Sequence, residues 1–261
     1  MAKVKEITAA IEAFAPRRLQ EDYDNAGLQV GNPDMEVSAV LLCLDVTEDI
    51  LQEAIDRSCN MIVSHHPLIF KGLKSVVGIN AVERIVIKAI RSNIAIYAAH
   101  TNLDAAVDGV SHEIAHILDL YDINVLDPHK ENPEVGIGVI GNLSPTPRLE
   151  FLRRVKDKFN VKALRYSAHS SGLVIKRVAV CGGSGAFLIR KAILEGADAI
   201  VTGDVKYHDF TTYGDDILIA DIGHYESELC SEKIFSKIIR DAFPEAVVYF
   251  SRKESNPIAV L

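Results

Sequence analysis

Apolar residues along this chain alternate between two spacings. Near the N-terminus, Ile7, Ala10, Ile11 and Phe14 recur at helical intervals and stop at Pro16, which predicts an amphipathic helix. Short apolar runs follow, each leading into a helical pattern. VLLCLDV (40–46) precedes a helical stretch from Glu48 to Arg57, and MIVSHH (61–66) precedes one over Ala81–Arg91. IAIYAAH (94–100) precedes another over Val110–Leu120. Later, VAVCGGSG (178–185) leads into a helical LIRKAILEGA, then AIVTGD (199–204) and ILIADIGH (217–224). Strand, helix, strand in this rhythm predicts an α/β fold of βαβ units with largely parallel sheets.

The two halves align at a constant offset of 138 positions: Cys43 answers to Cys181, Ala54 to Ala192, Ile62 to Ile200 and Val63 to Val201. An offset held across two strands and a helix favours a pseudo-repeat over chance similarity between βαβ units. The expectation is one 1–261 unit of two related lobes, 1–126 and 148–261. The segment 127–147, rich in Pro, Gly and Asn, would connect them.

Composition narrows the function. The net charge of −8 argues against a broad basic surface for nucleic acid or anionic lipid. No apolar run is long enough to span a membrane. Cysteines 43, 59, 181 and 230 are far apart and form no C-x-x-C pair, so they read as reduced thiols. With no signal-like apolar stretch at the start, the expected location is the cytoplasm.

Two motif matches read as decoys. Gly136-Ile-Gly138-Val-Ile-Gly141 fits G-x-G-x-x-G, but Asn142, Pro145 and Pro147 oppose the helix that a dinucleotide site needs there. It reads as a glycine-rich strand or turn. His112-Glu113-Ile114-Ala115-His116 fits H-E-x-x-H. Its apolar face is Ile114, Ile117 and Leu118, and both His lie on the opposite, polar side, so it reads as a solvated helix face.

The chemistry gathers at strand ends, where open α/β sheets bind ligands. Strand 61–64 ends at His65-His66-Pro67, and 94–99 ends at His100, with Asp104 close behind. Strand 199–203 ends at Asp204, with Lys206, His208 and Asp209 after it. Strand 217–222 ends at Gly223-His224, with Glu228 one helical turn further on. Successive strand residues point to opposite faces, so His65 and His66 are expected to diverge toward two ions. Mixed imidazole and carboxylate donors suit Zn²⁺, Mn²⁺, Fe²⁺ or Ni²⁺. A carboxylate such as Glu228 can bridge two ions about 3.5–4 Å apart, the spacing of two-metal hydrolases.

At these residues the chain resembles the NIF-three-like family of dinuclear metal proteins, many described as homologues of a type-two GTP cyclohydrolase. The matching stretches are YDNAGLQVG (23–31), SHHPLIFKGLKSV (64–76), AAHTNLDAAVDGV (98–110), TGDVKYHDF (202–210) and DIGHYESE (221–228). The resemblance implies a NIF-three-like fold and two divalent ions per chain. It places His65 and Asp104 on one ion, His66 and His224 on the other, and Glu228 on both. It also implies a hexameric ring with metal sites facing an inner cavity, and a polar role for His100 toward substrate or water. Tyr23 stands where Trp is common in the family, and Ser227 where Thr is commoner. The short 127–147 segment replaces a large insertion found in many relatives.

The function expected first is metal-dependent hydrolysis of a nucleotide or another small heterocycle, with His100 as candidate acid/base. A metal chaperone without turnover is the alternative, and a partner-binding adaptor with structural metals ranks last. Lys206 reads as a surface lysine that could meet phosphate, and His129 and His169 carry no assigned role.

Overall fold

The computed structural model describes residues 1–130, 132–168 and 173–261. His169, and Glu131 within the expected connecting segment, therefore lie outside the described residues. In chain order the elements begin α1 (Val4–Phe14), β1 (Gly27–Val30), β2 (Val40–Cys43), α2 (Glu48–Asp56) and β3 (Met61–Ser64). They continue through α3 (Ala81–Arg91), β4 (Ala95–Ala98), α4 (Thr101–Ala105), α5 (Val110–Ile117), β5 (Tyr121–His129) and β6 (Asn132–Pro147). Next come α6 (Arg148–Lys158), β7 (Arg165–Tyr166), β8 (Val174–Val180), α7 (Ile189–Leu194), β9 (Ala199–Thr202) and α8 (Tyr207–Tyr213). The chain closes with β10 (Leu218–Asp221), α9 (His224–Glu228), α10 (Ser231–Ala242) and β11 (Val248–Phe250).

The chain divides into two compact units. The first is Met1–Leu103 with Ser231–Ser255, and the second is Asp104–Cys230 with Asn256–Leu261. The first unit holds a five-stranded sheet in the order β1-β4-β3-β2-β11. Its last four strands are parallel, and β1 runs antiparallel to β4. Every residue of β2, β3 and β4 is buried, as expected of parallel strands covered on both faces. Leu41, Cys43, Ile62 and Ile96 pack with Ile50, Leu51 and Ala54 of α2 and Ile85, Val86 and Ala89 of α3. Because side chains alternate along a strand, Val40 and Leu42 belong to the other face, which α10 covers in contact with α1. Thr47 and Asn80 cap α2 and α3 through the amides of Ile50 and Glu83.

The second unit holds a six-stranded sheet in the order β5-β6-β8-β9-β10-β7. Only β8, β9 and β10 are parallel; β5, β6 and β7 join antiparallel. The parallel character expected of both sheets thus describes the first, and the second is mixed. The Pro- and Gly-rich segment 127–147 is not a connection between lobes. Apart from Lys130, its described residues lie in β5 and β6, an antiparallel pair with two register shifts. Register shifts and positive-φ glycines let such residues sit in strands. Gly136 is one of these: with φ near +153°, an added Cβ would lie 2.1 Å from the Asp127 carbonyl oxygen.

The units also differ from the expected lobes at their borders. The border falls within α4, so α5 belongs to the second unit, while α10 and β11 return to the first sheet, where Val248 pairs with Val40. The pseudo-repeat is present in detail: Val40 pairs with Met61 and Val178 with Ala199, each shifted by 138 positions. After the third strand of each repeat comes a single helical turn, α4 after β4 and α9 after β10.

Candidate metal centre

In the first unit, β3 delivers two histidines as it leaves the sheet. The His65 amide still bonds the Cys43 carbonyl (3.2 Å), and the His66 amide bonds that of Leu44 (2.9 Å). The Ser64 hydroxyl donates to the His66 carbonyl (2.8 Å), tightening the turn before Pro67. The two imidazoles lie beside each other at this strand end. Their ring centroids are 5.2 Å apart, and each lies 5.4 Å from that of His100. The three offer ligand atoms within 4.8 Å of one another.

Each of these rings is held through Nδ1. His65 Nδ1–H donates to the Ala99 carbonyl (2.9 Å), which fixes the orientation of the ring. His66 Nδ1 bonds Asp45 Oδ1 (2.9 Å), and His100 Nδ1 bonds Asp24 Oδ1 (2.8 Å). Asp24 also accepts the Thr101 amide (3.0 Å) and hydroxyl (2.5 Å). Burial pushes the Asp24 carboxyl up, but hydrogen bonds from His100 and Thr101 outweigh it and bring its pKa down to about 2. Beside His66 lies a cavity of about 430 Å³, with Leu68, Val82 and Ile85 among its apolar walls and Asp45 and Asp49 among its acids.

The second unit carries its own cluster. Gly223 turns the chain from β10 into α9 at φ +90°, where a Cβ would lie 2.5 Å from Glu226 Oε2. In α9, His224 and Glu228 share one helix face, with Nε2 and Oε2 2.9 Å apart. His224 Nδ1 meets Asp204 Oδ2 at 2.7 Å, and Ser184 donates to the same oxygen (2.8 Å). Glu228, and then Asp204, raise the His224 pKa to about 9 against the pull of burial. The Gly183 amide donates to Ser227 Oγ (2.8 Å), and a Cβ on Gly183 would lie 2.2 Å from Glu228 Oε1. Asp104 and Glu228 present carboxylate oxygens within 4.8 Å of each other. Taken over the whole chain, the buried and half-buried His, Asp and Glu groups could hold a metal ion, and their donor types fit a borderline first-row ion.

The reading from sequence named His65, His66, His100, Asp104, His224 and Glu228. The structure brings the first three together in one unit and, in the other, brings Glu228 close to both His224 and Asp104. It missed Asp24 and Asp45 as partners of imidazole Nδ1. Asp45 stands at the end of β2, the same strand-end signal that drew attention to Asp204. Lys206 and His208 are exposed; the Lys206 amide bonds Asp209 at the start of α8. His112 is half-buried rather than solvated. Its Nδ1 has no hydrogen-bond partner among the described residues, and burial lowers its pKa. It joins no metal-binding group found among them, and neither does His116.

The two sheets and their strand-end clusters define an α/β protein with a candidate metal site. The family described as Duf34/NIF3 (NGG1p interacting factor 3) matches residues 2–257, and the chain belongs to it. It is 38% identical over 243 residues to a "GTP cyclohydrolase 1 type 2 homolog" of Clostridium acetobutylicum, covering 92% of this chain and 90% of that protein. A protein of the same description from Lactococcus lactis is 35% identical, with 98% of each covered. Among solved structures, Staphylococcus aureus protein SA1388 superposes with a TM-score of 0.91 at 28% identity, covering 100% of this chain and 99% of that one.

Proposed function

We propose that this chain binds two divalent ions through His65, His66, Asp104, His224 and Glu228 and hydrolyses a nucleotide or another small heterocycle. The observation that carries the reading is the anchoring of imidazoles through Nδ1. His65, His66, His100 and His224 each give that nitrogen to an oxygen acceptor. Metal-ligating histidines do this almost without exception, because the outer bond fixes ring orientation and raises the basicity of Nε2. Glu228 is nearly fully buried, a costly position for a carboxylate unless a cation or donors compensate it. His224 lies between Glu228 and Asp204, which raise its pKa to about 9, so binding an ion through Nε2 would release a proton.

When bound, a pair of such ions supplies Lewis acidity and lowers the pKa of water toward neutrality. The chain's own residues do the rest. Asp24 holds His100 so that Nε2 carries the lone pair, and His100 can take a proton at that atom and return it to the leaving group. Asp45 and Asp204 orient the His66 and His224 rings. The relatives' descriptions as GTP cyclohydrolase homologues support a purine nucleotide as the first substrate to test.

The same reading takes the working form as a cytoplasmic homohexamer. Among the described residues no helix is long and apolar enough to cross a membrane. Light scattering tests the hexamer. For activity, metal-loaded protein is screened against GTP, other nucleotides and phosphoesters. Turnover that needs added metal and falls at least a hundredfold in His100→Gln supports the proposal. Full metal loading with no turnover of any compound sinks the hydrolase reading and favours metal delivery.

A further inference from the structure

We propose that Tyr23 and Phe70 form the platform on which the planar ring of the substrate packs, beside His100. This deepens the function proposed above and rests on it for the substrate class. Tyr23 is 65% and Phe70 43% exposed, and among the chain's exposed aromatics these two lie beside the histidine cluster. Their centroids are 6.3 Å apart, and the Phe70 ring meets the His100 ring edge-on at 6.1 Å. The exposed aromatic surface is therefore continuous with the three-histidine cluster.

The pair is held in place. Asn25 Nδ2 donates to the Ile69 carbonyl (2.6 Å), and the Ile69 amide donates to Gln29 Oε1 (3.1 Å). Both backbone groups of the residue before Phe70 are thus tied to the segment that bears Tyr23. That segment also supplies Asp24, which orients His100. One stretch, 23–29, so fixes the acid/base candidate and the aromatic pair together. Exposed, anchored aromatic rings beside a polar cluster suit a planar heterocycle, because every base offers a π-face for stacking. Lys71 and Lys74 follow Phe70 and are exposed, with no acidic residue between His66 and Asn80. Two cations this close in sequence to Phe70 suit a ligand with an anionic tail, and the relatives' descriptions make guanosine and GTP the first such ligands to test.

The absence of Trp from this chain provides the test. Tyr23→Trp introduces a single indole reporter at the platform. Fluorescence is titrated with guanosine, GTP and inorganic tripolyphosphate on metal-free and metal-loaded protein, with metal content measured in the same samples. The expected result is saturable quenching by guanosine and GTP, none by tripolyphosphate, and a roughly ten- to hundredfold weaker Kd when Phe70→Ala is added. Linear quenching no stronger than that of free N-acetyltryptophanamide overturns the proposal, as does a Kd unchanged by Phe70→Ala. Such a failure in protein that holds its metal leaves the metal-site reading standing. Saturable quenching in protein that binds no metal keeps the platform and removes the hydrolase.

Discussion

Replacing Asp24 by Asn removes one charge from a site that four hydrogen-bonding groups converge on. The carboxylate accepts from His100 Nδ1, the Thr101 amide and hydroxyl, and the Asn25 amide. Together these bring its pKa from 3.8 to about 2. At 1.36 kcal/mol per pKa unit, the ionised form stabilises the fold by about 2 kcal/mol at neutral pH. The sign follows from the lowered pKa. The contribution is complete above pH 4 and is lost as the pH falls toward 2. Asp24→Asn should therefore unfold about 4–8 °C lower than wild type at pH 7. The gap should close between pH 4 and pH 2. Thermal melts followed by circular dichroism at pH 7, 4, 3 and 2.5 measure it. A gap that stays constant down to pH 2.5, or is absent at pH 7, refutes the assignment of Asp24 as the ionised anchor of His100.

Glu232 should behave in the opposite sense: burial, and then Glu254, raise its pKa to about 8, and its Oε1 has no partner among the described residues. Glu232→Gln should gain stability over wild type as pH rises from about 5 to 8, by urea unfolding. Gly183→Ala places a methyl 2.2 Å from Glu228 Oε1 at a backbone φ of +58°, so bound metal should fall well below wild type by elemental analysis while the chain remains folded. All four cysteines are buried, and burial raises the pKa of each thiol. Ellman's reagent should find essentially none in native protein and all four after denaturation.

Much of the fold follows from periodicity. The spacing over 81–91 marks α3, and the runs at 40–46, 61–66 and 94–100 mark β2, β3 and β4, because buried parallel strands read as continuous apolar runs. The 138-position offset extends to strand register. What local pattern does not carry is long-range pairing. Nothing near Val248 says that β11 pairs with Val40 some 200 residues earlier, and the prolines and glycines of 127–147 signal a linker while forming strands. The ligand candidates are legible because His and carboxylates stand at strand ends. Their anchors are less so. Asp24 reaches His100 across 76 positions, and only folding brings them together.

Elemental analysis of protein purified without chelator, for wild type, His65→Ala and His224→Ala, tests the two-metal site most directly. Wild type should carry about two ions per chain, and each variant should clearly lose metal while keeping its fold by circular dichroism. If both variants keep the wild-type metal content, the strand-end histidines are not the metal site.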